Sequence, residues 1–281
     1  MERPASSATS SQRRAGPPAS GRRRVLDPGE LEHEAPFVSW QTVHRHLRSE
    51  FRQGDHVAII GPTGAGKTHI GFDVLELRSY SIVIACKPRD NLVTDALARG
   101  YRLVDRDTLR DGIEYVDGRP LHNRYVYWPR ISERTRRRLP ESEVLRAEKL
   151  HQRPRVAAAL GYVRNEGHWA VMLDEGTWVC RDLNLQRDVD SALFQFRTLN
   201  SSIVILGQRP SWMGRYVLSS PTHLFLFNTN DGDDRKSLGN VSGVDSKLVA
   251  ALVERLDFER HEFLYIDTRR RLMLRSVAPP K

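Results

Sequence analysis

The run Gly61-Pro62-Thr63-Gly64-Ala65-Gly66-Lys67-Thr68 matches the spacing G-x-x-x-x-G-K-[ST] in full. Glycines at these places let the backbone turn tightly and aim successive N–H groups at a polyphosphate. The Lys67 ammonium is then a point charge for the β- and γ-phosphates, and the Thr68 hydroxyl a ligand for Mg²⁺. A short apolar run, 56–60, precedes the motif, and a helix is expected from His69 onward, which is the context such a cradle needs. Residues 61–69, His69 included, are the expected nucleotide-binding set, with ATP and Mg²⁺ as the ligands.

A phosphate cradle of this kind needs an acidic partner at the end of a second buried strand. Ala170-Val-Met-Leu173 followed by Asp174-Glu175 supplies it. Asp174 is expected to hold Mg²⁺ through water, together with Thr68. Glu175 is expected to act as the general base on the attacking water. A third apolar run, Ile203-Val-Ile-Leu206, leads into Gly207-Gln208-Arg209-Pro210. Gln208 is placed to position the water or sense the γ-phosphate, and Pro210 stops the strand.

These residues need a scaffold, and the rest of the chain reads as one. Trp40, Val43, Leu47 and Phe51 recur at helical spacing, so 39–52 is an amphipathic helix. Apolar strands are expected at 56–60, 81–85, 124–128, 169–173, 203–206 and 223–227. A closing hairpin is expected at 263–266 and 271–274. Helical stretches fall at 141–166, interrupted by Pro154, and between 238 and 256. Strands apolar throughout and separated by helices point to an α/β fold with a mostly parallel sheet covered on both faces. The chain divides into a disordered basic tail, 1–33, and one ATPase domain, 34–281. Residues 99–167 form a basic, partly helical insertion.

The chain has 281 residues and a net charge of +9, which favours a polyanionic partner. No apolar run is long enough to span a membrane and the N-terminus lacks a secretory signal, so the expected compartment is the cytoplasm. Cys86 and Cys180 sit in apolar surroundings and read as buried free thiols.

The run Phe196-Arg197-Thr-Leu-Asn-Ser-Ser-Ile203-Val-Ile-Leu-Gly-Gln208-Arg209-Pro210-Ser211 resembles the corresponding segment of the FtsK–HerA superfamily of DNA-pumping ATPases. Thr222-His-Leu-Phe-Leu-Phe227 is similar to that family's next strand, and Asn230-Asp-Gly-Asp-Asp234-Arg235 to its polar stretch. The resemblance covers 55–85 and 169–245, is weak between 99 and 167, and is absent from the tail. It implies a RecA-like core in a ring, a hexamer, around double-stranded DNA, and an arginine supplied across the subunit interface. Arg197 is the candidate for that finger, with Arg235 as the second choice. A bare core with a basic tail looks most like the family's viral genome-packaging or plasmid-transfer branch, with a viral portal or transfer machinery as partner and, for a viral protein, the host cytoplasm as location.

Other features invite plainer readings. His44 and His46 face different ways on a helix and do not suggest a metal site. Tyr125, Tyr127 and Trp128 read as core and sheet packing. The cluster Arg130, Arg134, Arg136, Arg137 and Arg138 is either a solvated turn or a DNA-facing loop. Trp212 and Met213 line a pore or pack in an interface. Two rivals to the motor remain: a P-loop enzyme acting on a small molecule or protein, such as a kinase, and a nucleotide-dependent assembly factor that does not translocate DNA.

Overall fold

The computed structural model describes residues 32–88, 91–229, 231–241 and 243–279. The expected tail thus lies almost wholly outside the described residues, as does Asn230.

In chain order the main elements are α1 (Trp40–Glu50), β1 (Val57–Ile60), α2 (Lys67–Glu76), β2 (Ser81–Ile84), α3 (Asn91–Ala98) and β3 (Arg102–Val104). A small hairpin, β4 (Tyr115–Val116) and β5 (Arg119–Pro120), leads to β6 (Arg124–Tyr127), α4 (Glu133–Arg138) and α5 (Glu141–Glu166). Next come β7 (Ala170–Leu173), α6 (Gln186–Gln195), β8 (Ser202–Gly207), α7 (Tyr216–Ser219) and β9 (His223–Phe227). The chain ends with α8 (Gly232–Ser237), α9 (Ser246–Glu254), β10 (Glu262–Asp267) and β11 (Leu272–Val277).

All but β4 and β5 join one 9-stranded sheet in the order β11-β10-β9-β1-β8-β7-β2-β6-β3. The strands from β9 to β3 run parallel; β10 and β11 close one edge as an antiparallel hairpin. Side chains alternate between faces along each strand. Ala58, Ile60, Ile82, Ile84, Val171, Leu173, Ile203 and Ile205 enter one core with α5, α6 and α9. Val57, Ile59, Val83, Met172, Val204 and Leu206 enter the other with α1, α2 and α3. With an apolar core on each face, both alternating sets must be hydrophobic, which is why these strands are apolar throughout. The mostly parallel α/β sheet is as the sequence implied.

Two departures from the sequence expectations lie in the segment between β6 and β7. Pro154 does not interrupt the helix around it: α5 runs unbroken for 26 residues. Proline removes one backbone donor and crowds the preceding turn. Here Gln152 before it and Val156, Ala159, Leu160 and Val163 after it are all buried, so packing outweighs that local cost. Second, the arginine-rich stretch folds largely as a helix. Ser132 caps α4, its Oγ accepting from the Thr135 backbone amide at 3.0 Å. The interval 99–167 also supplies β3 and β6, so it builds one edge of the main sheet.

Candidate nucleotide site

β1 emerges between β8 and β9, and its carboxy-terminal end runs straight into the phosphate loop. Gly64 and Gly66 have φ of 84° and 95°, the left-handed region where any side chain is strained. Gly61 is required for a different reason: a Cβ there would lie 2.5 Å from the Phe227 side chain. α2 opens at Lys67, two residues before the position expected from sequence, so His69 lies in its first turn. The His69 amide bonds the Gly66 carbonyl at 3.1 Å, whereas a helix offers the amides ahead of that point no intrahelical partner, which is the electrostatic basis of an anion site.

Lys67 is nearly buried and its Nζ donates to the backbone carbonyls of Gly61 and Pro62, each at 2.8 Å. The ammonium is thus folded onto its own loop. Burial pulls its pKa down to about 8, against the opposing pull of Glu175 and Asp174 nearby.

β7 ends beside this loop. Thr68 Oγ1 donates to Asp174 Oδ1 at 3.0 Å, with Asp174 only 8% exposed. A hydroxyl and a carboxylate side by side are the hard oxygen donors that Mg²⁺ takes when phosphates complete its shell, so these residues fit that ion. Glu175 lies next along the chain. Gly176 then lets the backbone pass close under β8, since a Cβ would lie 2.8 Å from the Leu206 carbonyl oxygen.

The sheet order places β8 between β1 and β7, so Gln208, just past the end of β8, falls between the phosphate loop and the acidic pair. Its Nε2 is 3.4 Å from Glu175 Oε2. The second oxygen, Oε1, is ion-paired with Lys87 Nζ, which also lies 4.0 Å from Asp174 Oδ2. Sequence reasoning missed Lys87. The signal was a lysine shortly after the buried run of β2, legible only once β2 is known to adjoin β7.

Arg197 is not at this end of the sheet. Its guanidinium donates to the Ser220 carbonyl, and its backbone packs on Gly54, both just ahead of the amino-terminal ends of β9 and β1. Arg235 pairs with Glu254 at 3.0 Å. Arg209 pairs with Asp231 and Asp234, tying the loop after β8 to α8. Trp212 is 44% exposed, with the Arg181 and Arg209 guanidinia 4.4 and 4.7 Å from its ring, whereas Met213 is fully buried. Tyr125 and Tyr127 are core residues. Trp128 is only partly buried, and Arg130 stacks 3.8 Å from its ring. Arg136 is ion-paired with Glu148, leaving Arg134, Arg137 and Arg138 as the exposed arginines of α4. His46 bonds Asp267 at 3.0 Å. Both cysteines are buried thiols outside any disulfide. Among the described residues, no helix is long and apolar enough to cross a membrane.

No protein-family model and no curated protein matches the sequence. Solved structures do. The chain is similar to B204, the DNA-packaging ATPase from Sulfolobus turreted icosahedral virus, with 19% identity and a TM-score of 0.52 over 82% of this chain and 100% of that one. B204 from Sulfolobus turreted icosahedral virus 2, in complex with AMPPCP, gives 13% identity and a TM-score of 0.52 over 82% and 99% of the two chains. VirB4 of Thermoanaerobacter pseudethanolicus gives 11% identity and a TM-score of 0.53 over 80% and 90%. The chain thus has the RecA-like P-loop fold of B204 and VirB4, the fold that its resemblance to the FtsK–HerA superfamily implies.

Proposed function

We propose that the protein is an ATP-hydrolysing motor of the FtsK–HerA type that moves or packages double-stranded DNA as a ring oligomer, a hexamer. The observation that carries this reading is the convergence of Lys67, the Thr68–Asp174 pair, Glu175 and Gln208 at one end of three adjacent strands. Its fold likeness to a DNA-packaging ATPase supports the same reading.

In this mechanism the loop amides and Lys67 hold the β- and γ-phosphates of ATP. Thr68 and Asp174 hold Mg²⁺, which neutralises charge on the phosphates when bound. Glu175 takes a proton from a water, whose oxygen attacks the γ-phosphorus as ADP leaves. Gln208 senses the γ-phosphate between loop and base. Arg197 stands at the opposite end of the strands from its own phosphate loop, a place from which a guanidinium can serve a neighbouring subunit. The exposed arginines of α4, with Arg130, offer charge to the DNA backbone. The ATPase domain is 34–281, the tail 1–33 a second basic contact, the setting the cytoplasm, and the partner a portal or transfer assembly.

The deciding experiment measures ATP turnover with and without duplex DNA, alongside the oligomer mass. Expected are turnover that rises on adding duplex and a mass that is a multiple of the chain. Turnover indifferent to DNA at low salt overturns the motor and favours an enzyme acting on a small molecule or protein. No turnover at all favours an assembly factor.

A further inference from the structure

We propose that Lys87 is a positioning residue that withholds Glu175 from water until a polyanion draws Arg130 off Trp128. The inference rests on Glu175 being the base of the proposed ATPase.

Both carboxylate oxygens of Glu175 are engaged in this structure. Lys87 Nζ is ion-paired with Oε1, and Gln208 Nε2 approaches Oε2. A general base needs a lone pair directed at its water, and the Lys87 ammonium sits on one of the two carboxylate oxygens. A water reaching Glu175 therefore competes with the Lys87 ammonium for Oε1, and moving the ammonium opens that oxygen to it.

The backbone of this segment shows what could move it. The Cys86 carbonyl accepts from Gln152 Nε2 at 2.8 Å, and Gln152 is only 1% exposed, its Oε1 accepting from Trp178 Nε1 at 2.7 Å. Residue 86 is therefore anchored in the core by α5. Residue 87 is held from the opposite side: its carbonyl accepts from Trp128 Nε1 at 2.8 Å, at the exposed surface. The Arg130 guanidinium covers that same indole ring at 3.8 Å. A short mechanical line thus runs from Arg130 through Trp128 and the Lys87 backbone to Glu175. Its outer end is a planar guanidinium of the kind that binds phosphate oxygens bidentately. A DNA phosphate taking Arg130 uncovers the indole, loosens its bond to the Lys87 carbonyl and frees the ammonium from Glu175. The α4 arginines extend from the same segment, so the polyanion that would stimulate turnover meets the chain at the outer end of this line.

The test uses the full chain. Lys87→Met keeps the length and removes the charge, so turnover without DNA should rise by about 3–5-fold, the scale that a half-exposed ion pair supports. KM for ATP should stay unchanged, and stimulation by duplex should shrink by the same factor. Trp128→Phe keeps the ring but not the N–H, and should shift both quantities in the same direction. A readout independent of hydrolysis is the Trp128 indole N–H resonance in a ¹⁵N-labelled Glu175→Gln protein without ATP. It should move when duplex binds, and stay in place in the same background carrying Arg130→Ala. DNA-free turnover of Lys87→Met equal to or below wild type overturns the inference, as does a static indole signal on bound DNA. If Glu175→Gln abolishes turnover while Lys87→Met fails to raise it, only this inference falls. If Glu175→Gln still turns over, the base assignment falls first and takes the inference with it.

Discussion

Thr68 Oγ1 donates to Asp174 Oδ1 at 3.0 Å across a sequence separation of 106 residues. This bond joins the first turn of α2 to the residue just past β7, and one strand of the sheet, β8, separates β7 from the β1 strand that leads into α2. It brings together the two oxygen donors that the metal reading requires.

Removing either donor should therefore weaken nucleotide binding only when Mg²⁺ is present. In Thr68→Ala and Asp174→Asn, the ATP affinity measured with Mg²⁺ should approach the value measured in EDTA. A Mg²⁺ titration of a fluorescent ATP analogue checks this. Variants that keep the full wild-type Mg²⁺ dependence would remove these residues from the metal site.

Lys67 gives a pH dependence to phosphate binding. Burial holds its pKa at about 8, below the ordinary lysine range. The charged ammonium is the form that binds phosphate, so affinity should be full below pH 8. It should fall as pH rises through about 8, with proton uptake on binding above that value. Lys67→Ala should lose about 10- to 100-fold in affinity, the range for hydrogen bonds to a charged group, and should lose this pH dependence. Calorimetry in buffers of differing ionisation heat reads the proton uptake directly. A flat profile between pH 7 and 9 would contradict the assignment.

Arg197 can be tested by mixing. Arg197→Ala and Glu175→Gln should each be inactive alone while binding ATP, the second losing about 100-fold or more in turnover. In mixed rings some interfaces pair an intact base with an intact arginine, so activity should return at intermediate ratios. An Arg197→Ala protein as active as wild type, or no recovery at any ratio, would pass the test to Arg235.

Acid stability should be set at the other end of the sheet. His56 is fully buried, accepting from the Ile203 amide through Nδ1 at 3.1 Å and bonded through Nε2 to the Leu193 carbonyl at 2.9 Å. Only the neutral ring with its proton on Nε2 satisfies both bonds. Burial holds its pKa at about 4, aided by the Arg197 charge. The unfolded chain therefore binds more protons between about pH 4 and 6.5, and stability rises with pH across that window. The contribution is full above about 6.5, is lost as pH falls toward 4, and amounts to about 3 kcal/mol. Asp55 adds a second window lower down. Burial pushes it up, but the His223 ring 3.8 Å away, a bond from the Arg52 amide and the pair with Arg269 outweigh this and hold it well below the usual carboxylate range. Its contribution is present above about pH 4 and lost below. Urea midpoints at pH 7.5, 5.5 and 4 should fall in that order; equal midpoints at 7.5 and 5.5 would exclude the His56 effect.

How much of this was legible in the sequence follows from the range of each interaction. The phosphate loop is local: glycine conformations, the helix start and Lys67 all lie within one short run, so residue types alone specify them. The apolar strands are local in the same sense, because a two-faced sheet demands hydrophobic residues at every position. Asp174, Glu175 and Gln208 were legible as polar residues at the ends of such strands. Their meeting at one end was not, because strand order depends on pairing between distant segments. Pro154 misled because a local rule was applied where long-range packing of α5 decides the outcome. Arg136 read as free charge because its partner Glu148 lies on the next helix. Lys87 and Trp128 are the clearest case. Each sits just past its own strand, and only the adjacency of β7, β2 and β6 brings the ammonium to Glu175 and the indole to the Lys87 carbonyl. Short-range chemistry is written in consecutive residues, whereas contacts across the sheet exist only after the chain has paid the entropy of closing long loops and chosen its neighbours.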